Sequence, residues 1–237
     1  MRPLLIIGAG GLGRETLVAA RAVNDVTPTW TIIGFLDDDP NIEGHVIDGV
    51  PVIGPTSAAA GYPHAAAVVT IGNPDNFTTR RRIVSKLHLD VGRWATIIHP
   101  AAVIARGTHV GPGSVILAGA VTTSPVCIGA HVVVMPAVVL THDDVVADYA
   151  TLASGARLAG RVTVGEGAYV GAGALVRERR TIGAWSLVGM GAAVTTDVPA
   201  GEVWAGVPAH RLRRVAVLPP DRFPTVVGSA PPLEQIR

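Results

Sequence analysis

The chain is poor in several things that other protein classes need. Its 237 residues contain one cysteine, Cys127, which excludes an internal disulfide framework and a multi-cysteine metal site. A reducing cytoplasm fits that count, and Cys127, placed just before Ile128, reads as a packing residue and not as a nucleophile. Charged residues make up 16% and aromatics 4%, and the formal net charge is +1, so charge gives no argument for a nucleic-acid or anionic-membrane partner. No apolar stretch reaches membrane-spanning length without glycine, proline or charge. Met1 to Ile7 is a short apolar run that passes straight into glycines and Arg14-Glu15. A signal peptide would need a longer apolar core and a small-residue cleavage site, so the run reads as a buried first strand and the expected location is cytoplasmic. No two of the eight histidines recur with metal-ligand spacing and supporting acids, so no catalytic metal is expected.

What is present is aliphatic and periodic. From Ile98, steps of six residues land on Ile98, Ile104, Val110, Ile116, Thr122, Ile128, Val134, Leu140, Val146, Leu152, Leu158, Val164, Val170, Val176, Ile182, Val188 and Val194. All but Thr122 are aliphatic. Four residues after each step the side chain is usually small, as at Ala120, Ala150, Ala156, Ala168 and Ala174, and glycine often follows directly, as at Gly111, Gly129, Gly165, Gly171 and Gly183. A helix would repeat at three and four and an amphipathic strand at two. A six-residue repeat marks a parallel β-helix, in which three hexads close one triangular coil and residues eighteen apart stack about 4.8 Å apart. The run holds a little over five coils, with the aliphatic residue pointing inward and glycine expected to give the backbone its freedom at the corners. A sandwich of irregular short strands would not keep such a register. The repeat resembles the hexapeptide-repeat, left-handed β-helix acyltransferases; the handedness comes from that resemblance, which also implies acetyl-CoA as cosubstrate and a trimer.

The residues before the solenoid read differently. Pro3 to Ile7 has the profile of a central parallel strand. Gly8-Ala9-Gly10-Gly11-Leu12-Gly13 follows, then a helix from Arg14 to Val23. Gly8, Gly10 and Gly13 match G-x-G-x-x-G in the strand–turn–helix setting it requires, where a phosphate approaches the backbone at a helix N-terminus. A second strand, Thr31 to Leu36, ends in Asp37-Asp38-Asp39, where an acidic residue usually meets a ribose hydroxyl. About 95 residues leave room for one mononucleotide-binding unit, so the pocket reads as one for a nucleotide or nucleotide sugar in preference to NAD; the competing reading is that the glycines only pack helix against strand. Val46 to Pro55 is a turn-rich return to the sheet, Ala65 to Ile71 another buried strand, and Asp75 to about Leu87 a helix. Its Arg80-Arg81-Arg82 run reads as a solvated helix face in preference to a phosphate clamp. The expected organisation is an α/β Rossmann-like half-domain over 1–95, the β-helix over 96–211, and a proline-rich tail over 212–237 that wraps a neighbouring subunit or extends loosely.

One hexad breaks its own rule. In Leu140-Thr141-His142-Asp143-Asp144-Val145, Asp144 takes the place of the small residue and His142 points outward near a corner. Rule-breaking without structural gain is where function is expected, and histidine is the usual base near neutral pH. Stacking puts Ser124 and Gly160 one coil away on either side, and an N–H near Gly160 is a candidate oxyanion donor. His109 and His131 read as surface or interface residues, and His99 as structural.

Gly8-Ala9-Gly10-Gly11, Phe35-Leu36-Asp37-Asp38, Ile71-Gly72-Asn73, Ile98-His99-Pro100 and Gly206-Val207-Pro208-Ala209 occur in that order. As a set, over residues 3 to 212, they resemble the bacterial sugar acetyltransferases that include the sialic acid O-acetyltransferases and the N-acetyltransferases of bacillosamine and perosamine nucleotide sugars. The resemblance implies His142 as general base, tuned by Asp143 where relatives often have glutamate. It implies acetyl-CoA near Thr151, Gly160, Ala172 and Met190, and a nucleotide sugar at Gly10, Gly11, Leu12, Asp37, Asp38 and Gly72. Some relatives carry histidine at the Leu12 and Thr151 positions. Arg177, Arg179 and Arg180 form a basic corner that faces either CoA phosphates or solvent. The expected function is acetyl-CoA-dependent transfer to an amino or hydroxyl group of a nucleotide-linked sugar in a homotrimer with sites between subunits. The alternatives are an acyltransferase on a free sugar, amino acid or secondary metabolite, and a non-catalytic sugar-binding scaffold.

Overall fold

A computed structural model of the chain describes residues 1–215. Strand β1 (Arg2–Ile7) lies between β2 (Trp30–Leu36) and β5 (Ala66–Val69) in an all-parallel three-stranded sheet. Leu4 to Ile7 are fully buried, as a strand covered on both faces must be. Helix α1 (Gly11–Val26) turns Leu12, Thr16, Leu17, Ala19 and Ala20 inward. This stripe packs not only on β1 but also on Val115, Leu117 and Val133 of the solenoid. A small antiparallel hairpin, β3 (Val46–Ile47) and β4 (Val50–Pro51), returns the chain to the edge of β2, where Val52 bridges Phe35. Helix α2 (Thr79–Leu87) precedes the coils.

From Ile97 onward two-residue strands stack eighteen apart into three parallel faces, as the hexad register predicts, and form a left-handed β-helix, as the resemblance implies. The first face carries Ile97–Ile98, Val115–Ile116, Val133–Val134, Thr151–Leu152, Tyr169–Val170 and Leu187–Val188. The second carries Val121–Thr122, Val139–Leu140, Arg157–Leu158, Leu175–Val176 and Ala193–Val194. The third carries His109–Val110, Cys127–Ile128, Val145–Val146, Thr163–Val164 and Thr181–Ile182. The inward residues from Ile116 to Val194, with Ala120, Ala150, Ala156, Ala168, Ala174 and Ala192, form one core; each aliphatic side chain contributes about 1.5–3 kcal/mol on burial.

The corner glycines work differently from the sequence expectation. Gly111 and Gly165, directly after the inward residue, do not have left-handed backbones. A Cβ on Gly111 would stand 2.5 Å from Ala130 N, and one on Gly165 2.5 Å from Ala184 N, so these glycines permit close coil-to-coil approach. The left-handed residue comes two positions later, and it is as often a full side chain: Ala137, Asp143, Tyr149, Arg161, Arg179 and Trp185 all have φ between 55° and 64°.

The half-domain docks on the first face and on the third-to-first corner, where the His131 ring stacks on Tyr149 at 5.2 Å and meets Trp94 edge-on at 4.7 Å. His131 is therefore buried inside the chain and is not a surface residue. Nor is the arginine run a solvated face. Arg80 is 1% exposed, and Arg81 pairs with Glu166 at 3.1 Å and lies over Trp185; only Arg82 is exposed. Arg80 shares its helix face with Ile83, Val84 and Leu87, which carries it into the junction. His99 has the structural role expected, its Nδ1 accepting the Ala101 amide at 3.0 Å. The coils end in an antiparallel hairpin of Glu202–Ala205 and His210–Arg214, so Leu212, where the tail was expected to begin, lies within a strand. The tail beyond residue 215 lies outside the described residues. Among the described residues no helix is long and apolar enough to cross a membrane.

Candidate active site

His142 stands at the second-to-third corner, where its coil leaves the Val139–Leu140 strand. The corner needs a left-handed residue, and Asp143 supplies it at φ 63°; aspartate tolerates that region better than longer side chains do. The same turn brings Asp143 Oδ2 to 3.1 Å from His142 Nδ1. An ionised carboxylate can only accept, so Nδ1 carries the proton and Nε2 is left as the basic atom. Arg161, one coil on, donates from Nε to the same Oδ2 at 3.4 Å. The hydrogen bond from His142, followed by that from Arg161, holds the Asp143 carboxyl below its usual range. The aspartate side chain is thus long enough to reach the imidazole.

Asp144 explains why this turn holds its shape. Its side chain is fully buried. Oδ2 accepts the Thr141 amide at 2.7 Å and Oδ1 the Val162 amide at 2.8 Å, clamping both ends of the His142 corner to the next coil. Burial pushes the Asp144 carboxyl up to about 6, against the pull of those two amides. Its break with the repeat is therefore structural, one residue removed from the exposed pair. The imidazole lies on the backbone of Gly160, where a Cβ would overlap the ring at Nε2. His142 and Gly160, with Arg161, Arg177, Glu178, Arg179 and Arg180, line a mostly polar cleft of about 520 Å³. Arg177 also borders an apolar trough of about 500 Å³ along the second face, floored by Leu158, Leu175 and Ala193.

The other expected cofactor residues are elsewhere. Ala172 and Met190 lie at the first-to-second corner, across the second face from His142, with Met190 80% exposed. Thr151 lies on the first face, 1% exposed, its hydroxyl accepting from Arg80 at 2.9 Å.

The expected acceptor residues gather at the C-terminal edge of the three-stranded sheet, where open α/β sheets bind ligands. Gly8 takes φ 104°, and a Cβ on Gly13 would overlap the Gly8 carbonyl, so these two are required by the turn and by helix–strand packing. Gly10 and Gly11 are exposed with open space beside them, at a helix N-terminus without a side-chain cap. Asp37 Oδ2 accepts the Ala9 amide at 2.8 Å, and Asp38 Oδ1 accepts the Thr56 amide at 2.8 Å; both carboxylates brace loops around the glycine turn. A Cβ on Gly72 would stand 3.1 Å from Leu12 and 3.8 Å from Met135. Met135 was not singled out from sequence. Its signal is that it follows the inward Val134, at a position where most hexads place glycine, alanine or threonine. Among the described residues no group of three or more potential metal ligands forms.

Comparison with known proteins finds relatives over nearly the whole chain. A family profile for the PglD N-terminal domain matches residues 3–87. The acetyltransferase domain of PglB from Neisseria gonorrhoeae is 32% identical with a TM-score of 0.79, over 90% of this chain and 100% of that one, and the same domain is known in complex with acetyl coenzyme A. A mutant of GDP-perosamine N-acetyl transferase from Caulobacter crescentus, in complex with CoA and GDP-perosamine, is 28% identical with a TM-score of 0.78, over 89% of this chain and 96% of that one. WeeI from Acinetobacter baumannii is 28% identical with a TM-score of 0.75, over 90% of this chain and 100% of that one. No curated protein matches. With the half-domain, the hexad solenoid and nearly the full length of these relatives in common, the chain belongs to the hexapeptide-repeat, acetyl-CoA-dependent sugar acetyltransferases.

Proposed function

We propose that the chain transfers the acetyl group of acetyl-CoA to an amino or hydroxyl group of a nucleotide-linked sugar, with His142 as general base. The observation that carries this is the His142–Asp143 pair, Nδ1 to Oδ2 at 3.1 Å, at the edge of a cleft, with Nε2 making no hydrogen bond among the described residues. As the acceptor nitrogen or oxygen attacks the thioester carbonyl carbon, Nε2 takes its proton. The carbonyl becomes an oxyanion, for which the Gly160 amide is the proposed donor. Collapse breaks the C–S bond, and the proton held on His142 passes to the CoA sulfur. Asp143 keeps the ring in the tautomer that leaves Nε2 basic.

The two other halves of the substrate set have fitting surroundings. The apolar trough of the second face suits a pantetheine arm, and Arg177, Arg179 and Arg180 at its end suit phosphates. Ala172 and Met190 border that face on its far side. Gly10, Gly11, Leu12, Asp37, Asp38 and Gly72 are the proposed nucleotide-sugar positions; a relative that binds GDP-perosamine and CoA together supports that class of acceptor. The Leu12, Gly72 and Met135 cluster and the His142 corner lie on opposite borders of the second face. We therefore place the site between copies of the chain, in a homotrimer. The buried Cys127, which is held in no disulfide among the described residues, fits a cytoplasmic setting.

The test is CoA thiol release from acetyl-CoA over a panel of nucleotide amino sugars and free sugars, with wild type and His142→Ala side by side and the molecular mass read by sedimentation. Acceptor-dependent release by a trimer, lost in the variant, is the expected result. Equal release by both proteins removes His142 as base, and release with free sugars alone removes the nucleotide.

A further inference from the structure

The half-domain and the solenoid meet around one charge. Arg80 leaves α2 and is 1% exposed. Its Nη1 donates to the Ile71 carbonyl at 2.8 Å. Its Nη2 donates to the Tyr149 carbonyl, to the Ala150 carbonyl at 3.1 Å and to the Thr151 hydroxyl at 2.9 Å. Every one of these acceptors is neutral. Burying a guanidinium without a carboxylate is costly, and a packed apolar side chain of the same volume commonly serves stability as well or better. The cost is visible in the Arg80 pKa, which burial lowers to about 10. Stability alone therefore does not account for an arginine here.

What the fork does is geometric. One nitrogen holds Ile71, the residue before Gly72, and the other holds three consecutive residues of the fixed coil. Gly72 in turn meets Leu12 from α1 and Met135 from the solenoid corner, so the floor of the proposed acceptor pocket is built from both sides of the same junction. A planar guanidinium spans such divergent acceptors, whereas an ammonium is a point charge that cannot.

We propose that Arg80 is a positioning residue for the acceptor: it fixes the Ile71–Gly72 segment, just past β5, against coil residues 149–151 and so sets the acceptor pocket relative to the solenoid. This rests on the acceptor binding at the half-domain. Arg80 touches no reacting atom; it acts through Gly72 and Leu12.

The test compares wild type, Arg80→Lys and Thr151→Val, using the nucleotide amino sugar that wild type accepts best. For Arg80→Lys the expected result is a fall in kcat/KM for the acceptor of about 10²-fold, the scale of a small misplacement, with KM for acetyl-CoA within about twofold and unfolding still cooperative. Thr151→Val, which deletes one acceptor of the fork, shifts the same parameter in the same direction by a smaller factor, and it decides the matter if Arg80→Lys does not fold. A lowered melting point with acceptor kinetics unchanged assigns Arg80 to stability and overturns the proposal. So does a Thr151→Val effect on acetyl-CoA alone. If wild type uses no nucleotide sugar, the functional reading fails separately. Hydrogen exchange then decides for Arg80: selective loss of protection at Gly72 and Asn73 in Arg80→Lys supports positioning, and unchanged protection there refutes it.

Discussion

The imidazole of His142 rests on the backbone of Gly160, one coil further along, with no room between them for a methyl group. Gly160→Ala is therefore expected to push the ring off the coil while leaving the aliphatic core intact. We expect kcat to fall about 10²-fold, since a base must lie within hydrogen-bond reach of its proton, with the unfolding midpoint near wild type. Unchanged kcat in a folded Gly160→Ala protein would mean that the ring position does not matter to turnover.

Asp143 and His142 make separable contributions. Loss of the base in His142→Ala removes about 10²- to 10⁴-fold in kcat. Asp143→Asn keeps a residue that accepts the left-handed corner and can still receive the Nδ1 proton, and removes only the charge. A smaller fall, about tenfold, is expected, with KM for acetyl-CoA unchanged. Equal losses in the two variants would show that the carboxylate is as indispensable as the base.

Asp144 is the clamp. Asp144→Ala strands the Thr141 and Val162 amides in a buried place, at about 1–3 kcal/mol each. Urea unfolding should show that loss, and kcat should fall with it because the His142 turn loosens. The carboxyl, raised to about 6 by burial, takes its proton more readily folded than unfolded. Its contribution is thus greatest at acid pH and declines as pH rises through about 6. An Asp144→Ala protein that loses stability equally at pH 5 and pH 7 would count against a carboxyl titrating there.

His131 works in the opposite sense. Burial, and then the nearby Arg80 charge, lower its pKa to about 3, and neither ring nitrogen has a hydrogen-bond partner among the described residues. The unfolded chain binds the proton first, so stability is complete above the ordinary value of 6.5 and is lost as pH falls toward 3. His131→Phe keeps the ring against Tyr149 and Trp94 and abolishes the titration. Its stability advantage over wild type is expected to grow on going from pH 7 to pH 5, by up to about 2 kcal/mol. A constant difference across that range would place the His131 pKa elsewhere.

The solenoid was legible because a single constraint, an inward aliphatic residue every sixth position, governs it from Ile98 to Val194; no long-range pairing had to be guessed. The outward position of His142 was legible for the same reason, since a fixed register tells which residues a coil must turn outward, whereas Asp143 was singled out only through the family resemblance. The glycines misled because sequence shows that a side chain is absent, not whether torsion or contact demands it; Gly111 and Gly165 answer to the backbone of the next coil. Arg80 was hidden by its neighbours, Arg81 and Arg82, although its spacing to Ile83, Val84 and Leu87 carried the signal. The separation of Met190 and Thr151 from His142 follows from the same register, because positions share a face only when the hexad count between them is a multiple of three; the family resemblance, not the register, supplied those two positions.

That count has a consequence for how such proteins change over time. Because Val146 pairs with Val164 and Val164 with Ile182, a one-residue slip within a strand turns every later inward side chain outward. A column lengthened or shortened by a whole eighteen-residue unit keeps every inward residue inward and every face in line, with the half-domain still fastened to the first face and to the third-to-first corner.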